Sequence, residues 1–242
     1  MDVNKNSYVF GFAIVMVVVV GILLAATSIT LKPMQKENVR KEKMQNILAS
    51  VNIQVDRDGS EELFNKHIKQ QLVLKADGSV IEGETAFGID MAKELKKPND
   101  ERHNPLYIAE KDGNTYYIIP LRGKGLWGPI WGFISLEEDQ NTVYGAKFDH
   151  KAETPGLGAE INRDFFSQQF VGKKIMEDNT FRSISVVKGS ASTEHEVDGI
   201  SGGTITSNGV DAMLENCIRN YVPYFKSLNK NVQASLIQKP AK

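Results

Sequence analysis

An uncharged, almost wholly apolar run occupies residues 8–31, with Lys5 before it and Lys32, Lys36, Arg40, Lys41 and Lys43 after it. About 24 residues rising ~1.5 Å each cross a hydrocarbon core of roughly 30 Å, so the run predicts one membrane-spanning helix. A cleaved secretory signal is the alternative, with Lys5 as its basic region and Ala25, Ala26 and Thr27 as the small-residue site, although such signals have apolar regions of only ~7 to 15 residues. Beyond Pro33 the apolar positions Met44, Ile47, Leu48 and Val51 share one helical stripe. They predict a juxtamembrane helix that either lifts a domain off the bilayer or offers a contact surface to a partner.

The pattern then shortens. A helix is predicted over residues 60–69, and a small hairpin over 72–74 and 80–81 around Asp77 and Gly78. Residues 87–104 are charged, and Pro98 and Pro105 bracket a loop, which predicts a connector. Strands are predicted at 106–109 and 116–121 around Asp112 and Gly113, and at 131–136 and 142–148 around an acidic turn. Ile161, Phe165, Phe166 and Phe170 predict a helix, and Ile184 with Val186 a half-buried strand. Val210, Met213, Leu214, Cys217, Ile218, Tyr221, Val222 and Phe225 trace one buried face of a last helix. Its start is expected near residues 206–208, where Thr206, Ser207 and Asn208 can cap the first turn. The class is α+β: a single N-terminal transmembrane helix, then a soluble domain with a mainly antiparallel sheet and flanking helices. The expected segments are a tail at 1–7, the span at 8–31, the juxtamembrane helix at 32–51, the first part of the soluble domain at 52–104, its main part at 105–228 and a C-terminal tail at 229–242.

Composition narrows the function. The 242 residues are 41% apolar and 24% charged with a net charge of −1 and no basic face, which excludes nucleic acid as a partner. Cys217 is the one cysteine, so neither an internal disulfide nor a cysteine cluster can form. His67, His103, His150 and His195 lack the spacing of helix-borne ligands and read as surface residues, so no metal site is expected. Hydrolase and kinase motifs are absent. Residues 123–128 match G-x-G-x-x-G, but Pro129 and the aromatic and β-branched run after it predict strand where a dinucleotide site needs a helix. The match reads as a bulged turn.

Two stretches carry candidate chemistry. Asp198, Gly199, Ile200, Ser201, Gly202, Gly203 and Thr204 place glycines and hydroxyls ahead of the last helix, where free N–H groups and the helix dipole favour a phosphate. Gly202 and Gly203 let backbone approach such a ligand. The plain alternative is a Gly-rich loop before a capped helix. Glu153, Thr154, Pro155, Gly156, Leu157 and Gly158 form a turn stiffened by proline, which alone reads as a surface turn.

Together these stretches resemble a known family. The first resembles the flavinylation motif of FMN-binding domains and, continued through Val210, the C subunits of Na+-translocating NADH:quinone reductases; Gly203 stands where that motif usually has Ala. The second resembles a loop of the same C subunits and of the G subunits of Rnf complexes. The resemblance implies that residues 105–228 are an FMN-binding domain, with FMN joined through its phosphate to Thr204. Ser201, Gly202, Gly203, Thr206, Glu153, Thr154, Gly156, Leu157 and Gly158 are then its expected contacts. Backbone N–H groups of Gly156 and Gly158 can meet the polar edge of the flavin, and Leu157 its face. Trp127 either closes one side of the pocket or belongs to the core. Asp198 is expected to be recognised by a flavin transferase that uses FAD and Mg2+, since an unassisted Thr hydroxyl is a poor nucleophile.

The resemblance further implies an electron-carrying subunit with no catalytic residue and no NADH oxidation of its own. Its setting is a sodium-pumping NADH:ubiquinone oxidoreductase of several subunits, held by a single pass in the cell inner membrane with the domain in the periplasm. The count of lysines and arginines after the span points instead to the cytoplasm. Two alternatives stay open: the G subunit of an Rnf-type complex with covalent FMN, and a membrane-anchored binding or scaffold domain with no redox cofactor.

Overall fold

The alternating apolar positions in the middle of the chain form one antiparallel sheet in the computed structural model, which describes residues 5–237 and side chains as far as residue 229. The chain divides into two units, one ending at Lys43 and one beginning at Met44.

The first unit is most of helix α1 (Asn6–Ser50), which continues through Pro33. It is long and apolar enough to cross a membrane, and its apolar side chains stand exposed, Val17 and Ile29 at 72% each. Thr27 and Thr30 donate their hydroxyls back to the carbonyls of Leu23 and Ala26 at 2.8 Å, which satisfies them without water.

In the second unit, α2 (Ser60–His67) leads directly into β1 (Ile68–Leu74), and β2 (Asn104–Lys111), β3 (Asn114–Lys124), β4 (Pro129–Leu136) and β5 (Val143–His150) follow. The sheet order is β1-β2-β3-β4-β5, every neighbouring pair antiparallel. Both faces are covered, and the period of two sends neighbouring residues to different cores. Ile118 packs with Met44, Ile47, Leu48, Val51 and Phe64, whereas Ile119 packs with the last helices. The class is therefore α+β with an antiparallel sheet.

Several elements differ from the sequence expectation. The hairpin expected at 72–74 and 80–81 is reduced to one bridge between Leu74 and Val80, and β1 pairs instead with β2, Leu72 opposite Leu106. Strand β2 sends Leu106 to one core and Tyr107 to the other, so it is buried on both faces, and β1 and β3 occupy its two edges. The expected connector over 87–104 holds a short 3-10 turn (Ala86–Gly88), α3 (Met91–Glu94) and another 3-10 turn (Asn99–Glu101), with Asp90 capping α3 by accepting from Ala92 N–H at 2.9 Å. The helix expected around residues 161–170 is broken into a 3-10 turn (Gly158–Asn162), α4 (Asp164–Ser167) and a 3-10 turn (Gln168–Phe170), because Arg163 between the first two is extended. The break turns Phe165 outward, 57% exposed, while Phe166 and Phe170 pack on Phe148 with ring centroids 5.5 and 4.9 Å away.

Two small pairs follow: β6 (Met176–Glu177) with β7 (Thr180–Phe181), turned by Asp178 and Asn179 at positive φ, and β8 (Ser185–Val187) parallel to β9 (Glu196–Asp198). Val186 lies in β8 as the pattern predicts. Helix α5 (Thr204–Ile218) starts ahead of the expected 206–208, with Gly203 as its N-cap residue and Ser207 N–H donating to Gly203 O at 2.8 Å. A 3-10 turn (Arg219–Tyr221) joins it to α6 (Val222–Ile237). Of the expected tails, residues 229–237 continue α6, and residues 1–4 and 238–242 lie outside the described residues.

Candidate functional site

Helix α5 buries Val210, Met213, Leu214, Cys217 and Ile218 against the sheet, and this face fixes where its first turn comes to rest. Two close approaches set it against β3. A Cβ on Gly123 would lie 2.8 Å from Met213 Cβ, and one on Gly209 would strike the carbonyl of Lys124. With Thr204 as the first helical residue, the N–H groups of Thr204, Ile205 and Thr206 precede the first i to i−4 bond, made by Ser207. They lie at the positive end of the helix dipole.

The hydroxyls of this turn are sorted by the helix. Thr204 is exposed and Thr206 is 2% exposed, its Oγ1 donating to Glu153 Oε2 at 2.5 Å. Ser207 is also buried, and its Oγ accepts from Ile200 N–H at 2.9 Å, closing the turn through Ser201, Gly202 and Gly203. Ser201 and Gly202 are exposed, and Gly202 has φ +73°. The hydroxyls of Thr206 and Ser207, expected to cap or contact, are thus engaged inside the fold.

Glu153 joins this turn to a second loop. It is 4% exposed, and its Oε1 accepts from Trp127 N–H at 2.8 Å. Burial pushes its pKa up, but the Thr206 hydroxyl and the Trp127 and Leu126 N–H groups outweigh burial and hold it below its ordinary 4.5. Gly158 fits only because it lacks a side chain: a Cβ there would lie 2.5 Å from Glu153 Oε2 and would also strike Thr206 Oγ1. A Cβ on Gly203 would lie 3.3 Å from Gly158 N, and one on Gly202 would lie 2.7 Å from Leu157 Cδ2.

The residues singled out in the sequence thus divide into two sets. Glu153, Gly158, Gly203 and Thr206 are buried and hold the loops together. Thr204, Ser201, Gly202, Thr154, Gly156, Leu157, Trp127 and Asp198 are exposed. Gly156 N–H donates to Glu160 Oε1 at 2.9 Å, so it is already partnered. Asp198 lies at the end of β9, its Oδ1 accepting from Ala191 N–H at 2.6 Å. Trp127 is 65% exposed, which removes it from the core. It stands in the turn between β3 and β4 that the glycine pattern predicts, closed by Gly125 N–H to Gly128 O at 2.8 Å.

Leu126 and Ile205 are not among the residues that the sequence motifs single out. Together with Trp127 and Leu157 they are large apolar side chains left exposed, at 47% and 57%, on the loops that meet at Glu153 and Thr206. Their position next to the two motifs is the signal that was available. The histidines expected at the surface are all half-buried, and His150 adjoins the site, its Nδ1 accepting from Glu153 N–H at 3.2 Å. Among the described residues no three His, Cys, Asp or Glu side chains gather as a metal site. Burial pushes the Cys217 thiol up to about 11, which leaves it unreactive near neutral pH. A cleft of about 370 Å³ lined by Asp139, Asn141, Met176, Phe225 and Lys226 contains none of these residues.

The arrangement presents one accessible hydroxyl on a helix N-terminus, free N–H groups beside it, and apolar surface around it. Such a surface suits a ligand that combines a phosphate with a planar aromatic ring. Comparison with known proteins agrees. Residues 125–219 match the family described as the FMN-binding domain. The chain is similar to the C subunit of the Na(+)-translocating NADH-quinone reductase of Pseudomonas aeruginosa, 33% identical over 84% of this chain and 87% of that protein. It is also similar to the C subunit of the reductase of the same name from Vibrio anguillarum, 35% identical over 86% and 88%. A crystal structure of the corresponding C subunit from Parabacteroides distasonis superposes with a TM-score of 0.75 at 45% identity, covering 81% of this chain and 96% of that one.

Proposed function

The chain belongs to the family of Na(+)-translocating NADH-quinone reductase C subunits, and on that premise we propose that it carries FMN bonded covalently to Thr204 and passes electrons within a membrane reductase complex. The observation that carries the attachment site is the sorting of hydroxyls on one helical turn: Thr204 is exposed, whereas Thr206 and Ser207 are buried and engaged.

When bound, FMN supplies one- and two-electron transfer, and the protein supplies its place and electrostatic surroundings. Thr204 Oγ1 holds the phosphate through an ester bond, formed when a flavin transferase moves FMN from FAD to the hydroxyl; AMP leaves and the hydroxyl proton goes to solvent. Leu126, Trp127, Leu157 and Ile205 offer apolar surface to the ring. The N–H groups of the first turn of α5 would offer hydrogen bonds to the phosphate. Asp198, exposed beyond that turn, serves recognition by the transferase with its Mg2+. Helix α1 is a single anchor in the inner membrane, with the domain on the periplasmic side and the other subunits of the reductase as partners. The chain alone oxidises no NADH.

Purification of the full-length protein from cells containing the transferase tests this. The wild-type band fluoresces after denaturing electrophoresis, and a peptide containing Thr204 is heavier by FMN less water; Thr204→Ala abolishes both. A modified Ser201, which is also exposed, or a dark wild-type band overturns the assignment. Protease added to right-side-out spheroplasts digests the domain; full protection places it in the cytoplasm, as the lysines after the span would have it.

A further inference from the structure

We propose that Glu153 is a positioning residue rather than a flavin ligand, a buried tie between the turn bearing Trp127 and the first turn of α5, on which Thr204 stands. The flavin part of this proposal rests on the covalent-FMN function proposed for Thr204, but the tie itself does not.

Both carboxylate oxygens are already committed. Oε2 accepts the Thr206 hydroxyl at 2.5 Å, Oε1 accepts Trp127 N–H at 2.8 Å, and the Leu126 N–H also bonds to the carboxylate. With 4% of the residue exposed, little of it is left for a ligand to touch. Three donors from two separate loops thus converge on one group, and only a carboxylate offers two oxygens that both accept and never donate. Glutamine keeps an acceptor for the two amides only by turning its NH2 to the Thr206 oxygen, which reverses that bond and removes the charge that strengthens all three; aspartate is one methylene too short to span both loops.

The surrounding glycines are shaped to this carboxylate. A Cβ on Gly125 would lie 2.6 Å from Oε1, and one on Gly158 would lie 2.5 Å from Oε2. One lies in the Trp127 turn and the other in the loop bearing Leu157, so both loops are cut to fit the same side chain. The exposed residues gain little order from their own packing, since Trp127 is 65% and Ile205 57% exposed. What orders them is their backbone, and the hydrogen bonds that both elements donate to Glu153 provide a cross-connection. Loss of the tie lets the Trp127 turn and the first turn of α5 move separately, which changes how the Thr204 hydroxyl is presented.

The test uses full-length protein with Trp131→Phe, so that Trp127 is the remaining tryptophan, incubated with transferase, FAD and Mg2+. Glu153→Gln and Thr206→Val are expected to slow flavin attachment at least ten-fold and to increase the local motion of Trp127 in time-resolved anisotropy. Thr206→Ser, which keeps the hydroxyl, retains the parent rate and anisotropy. Should Glu153→Gln fail to fold, the Val and Ser variants at 206 make the same comparison on one arm of the tie. Parent-like attachment and anisotropy in folded Glu153→Gln or Thr206→Val overturn the proposal. If the parent protein takes up no flavin, the covalent-FMN function fails, and the anisotropy still decides whether the tie exists.

Discussion

Thr204 and Thr206 lie two residues apart on the first turn of α5 and face opposite surroundings, the one exposed and the other 2% exposed with its hydroxyl on Glu153. Their substitutions should therefore separate stability from cofactor loading. Thr206→Val leaves a buried carboxylate oxygen without its donor and costs about 1–3 kcal/mol. Thr204→Ala changes stability by less than about 0.5 kcal/mol while removing the acceptor for FMN. Urea unfolding of the two variants in the absence of transferase measures the difference.

The glycines at the site should resist even a methyl group. Gly158→Ala places a Cβ against Glu153 and Thr206, and Gly209→Ala drives one into the Lys124 carbonyl. Each forces backbone to shift and costs about 1–3 kcal/mol. Thermal or denaturant unfolding reads the loss.

Acid should weaken the domain through Glu153 in a definite window. Its folded pKa lies below its ordinary 4.5, so the stabilisation it contributes is fully present above about 4.5 and is lost as pH falls through the lower folded value. The groups facing it are the Thr206 hydroxyl, the Trp127 and Leu126 N–H groups and His150. Unfolding followed from about pH 7 to about pH 3 should show the wild-type advantage over Glu153→Gln constant at first and shrinking only below about 4.5.

Neighbouring phenylalanines give a contrast in the core. Phe166→Ala empties a fully buried site against Phe148 and Phe170 and costs about 3–5 kcal/mol, whereas Phe165→Ala, at an exposed position, changes stability by less than about 0.5 kcal/mol. Denaturant midpoints of the two variants settle the order.

What the sequence revealed follows from the range of each interaction. The apolar span, the β3–β4 turn around Trp127 and the buried face of α5 are written in local periodicity, and the observed elements follow it. Thr206, Ser207 and Asn208 are good capping residues and point to a later start for α5, yet the N-cap is Gly203, which uses no side chain at all. The pairing of Glu153 with Thr206 spans 53 positions and has no periodic trace. Both residues were legible as members of motifs, but not as partners. For the same reason local patterning pairs β1 with a nearby hairpin strand, whereas its neighbour in the sheet is β2, on the far side of the connecting segment.

Gly125, Gly158 and Gly209 carry a further implication for inheritance. Every missense change in a glycine codon introduces a side chain, and at these three positions the first added carbon already meets a carboxylate or a main-chain oxygen. The fold should therefore tolerate substitution at the outer rim, where Trp127 and Ile205 project into solvent, and reject it at this inner corner. A library of single-codon variants, sorted for folded protein, should show that contrast between two groups of residues that lie on the same few loops.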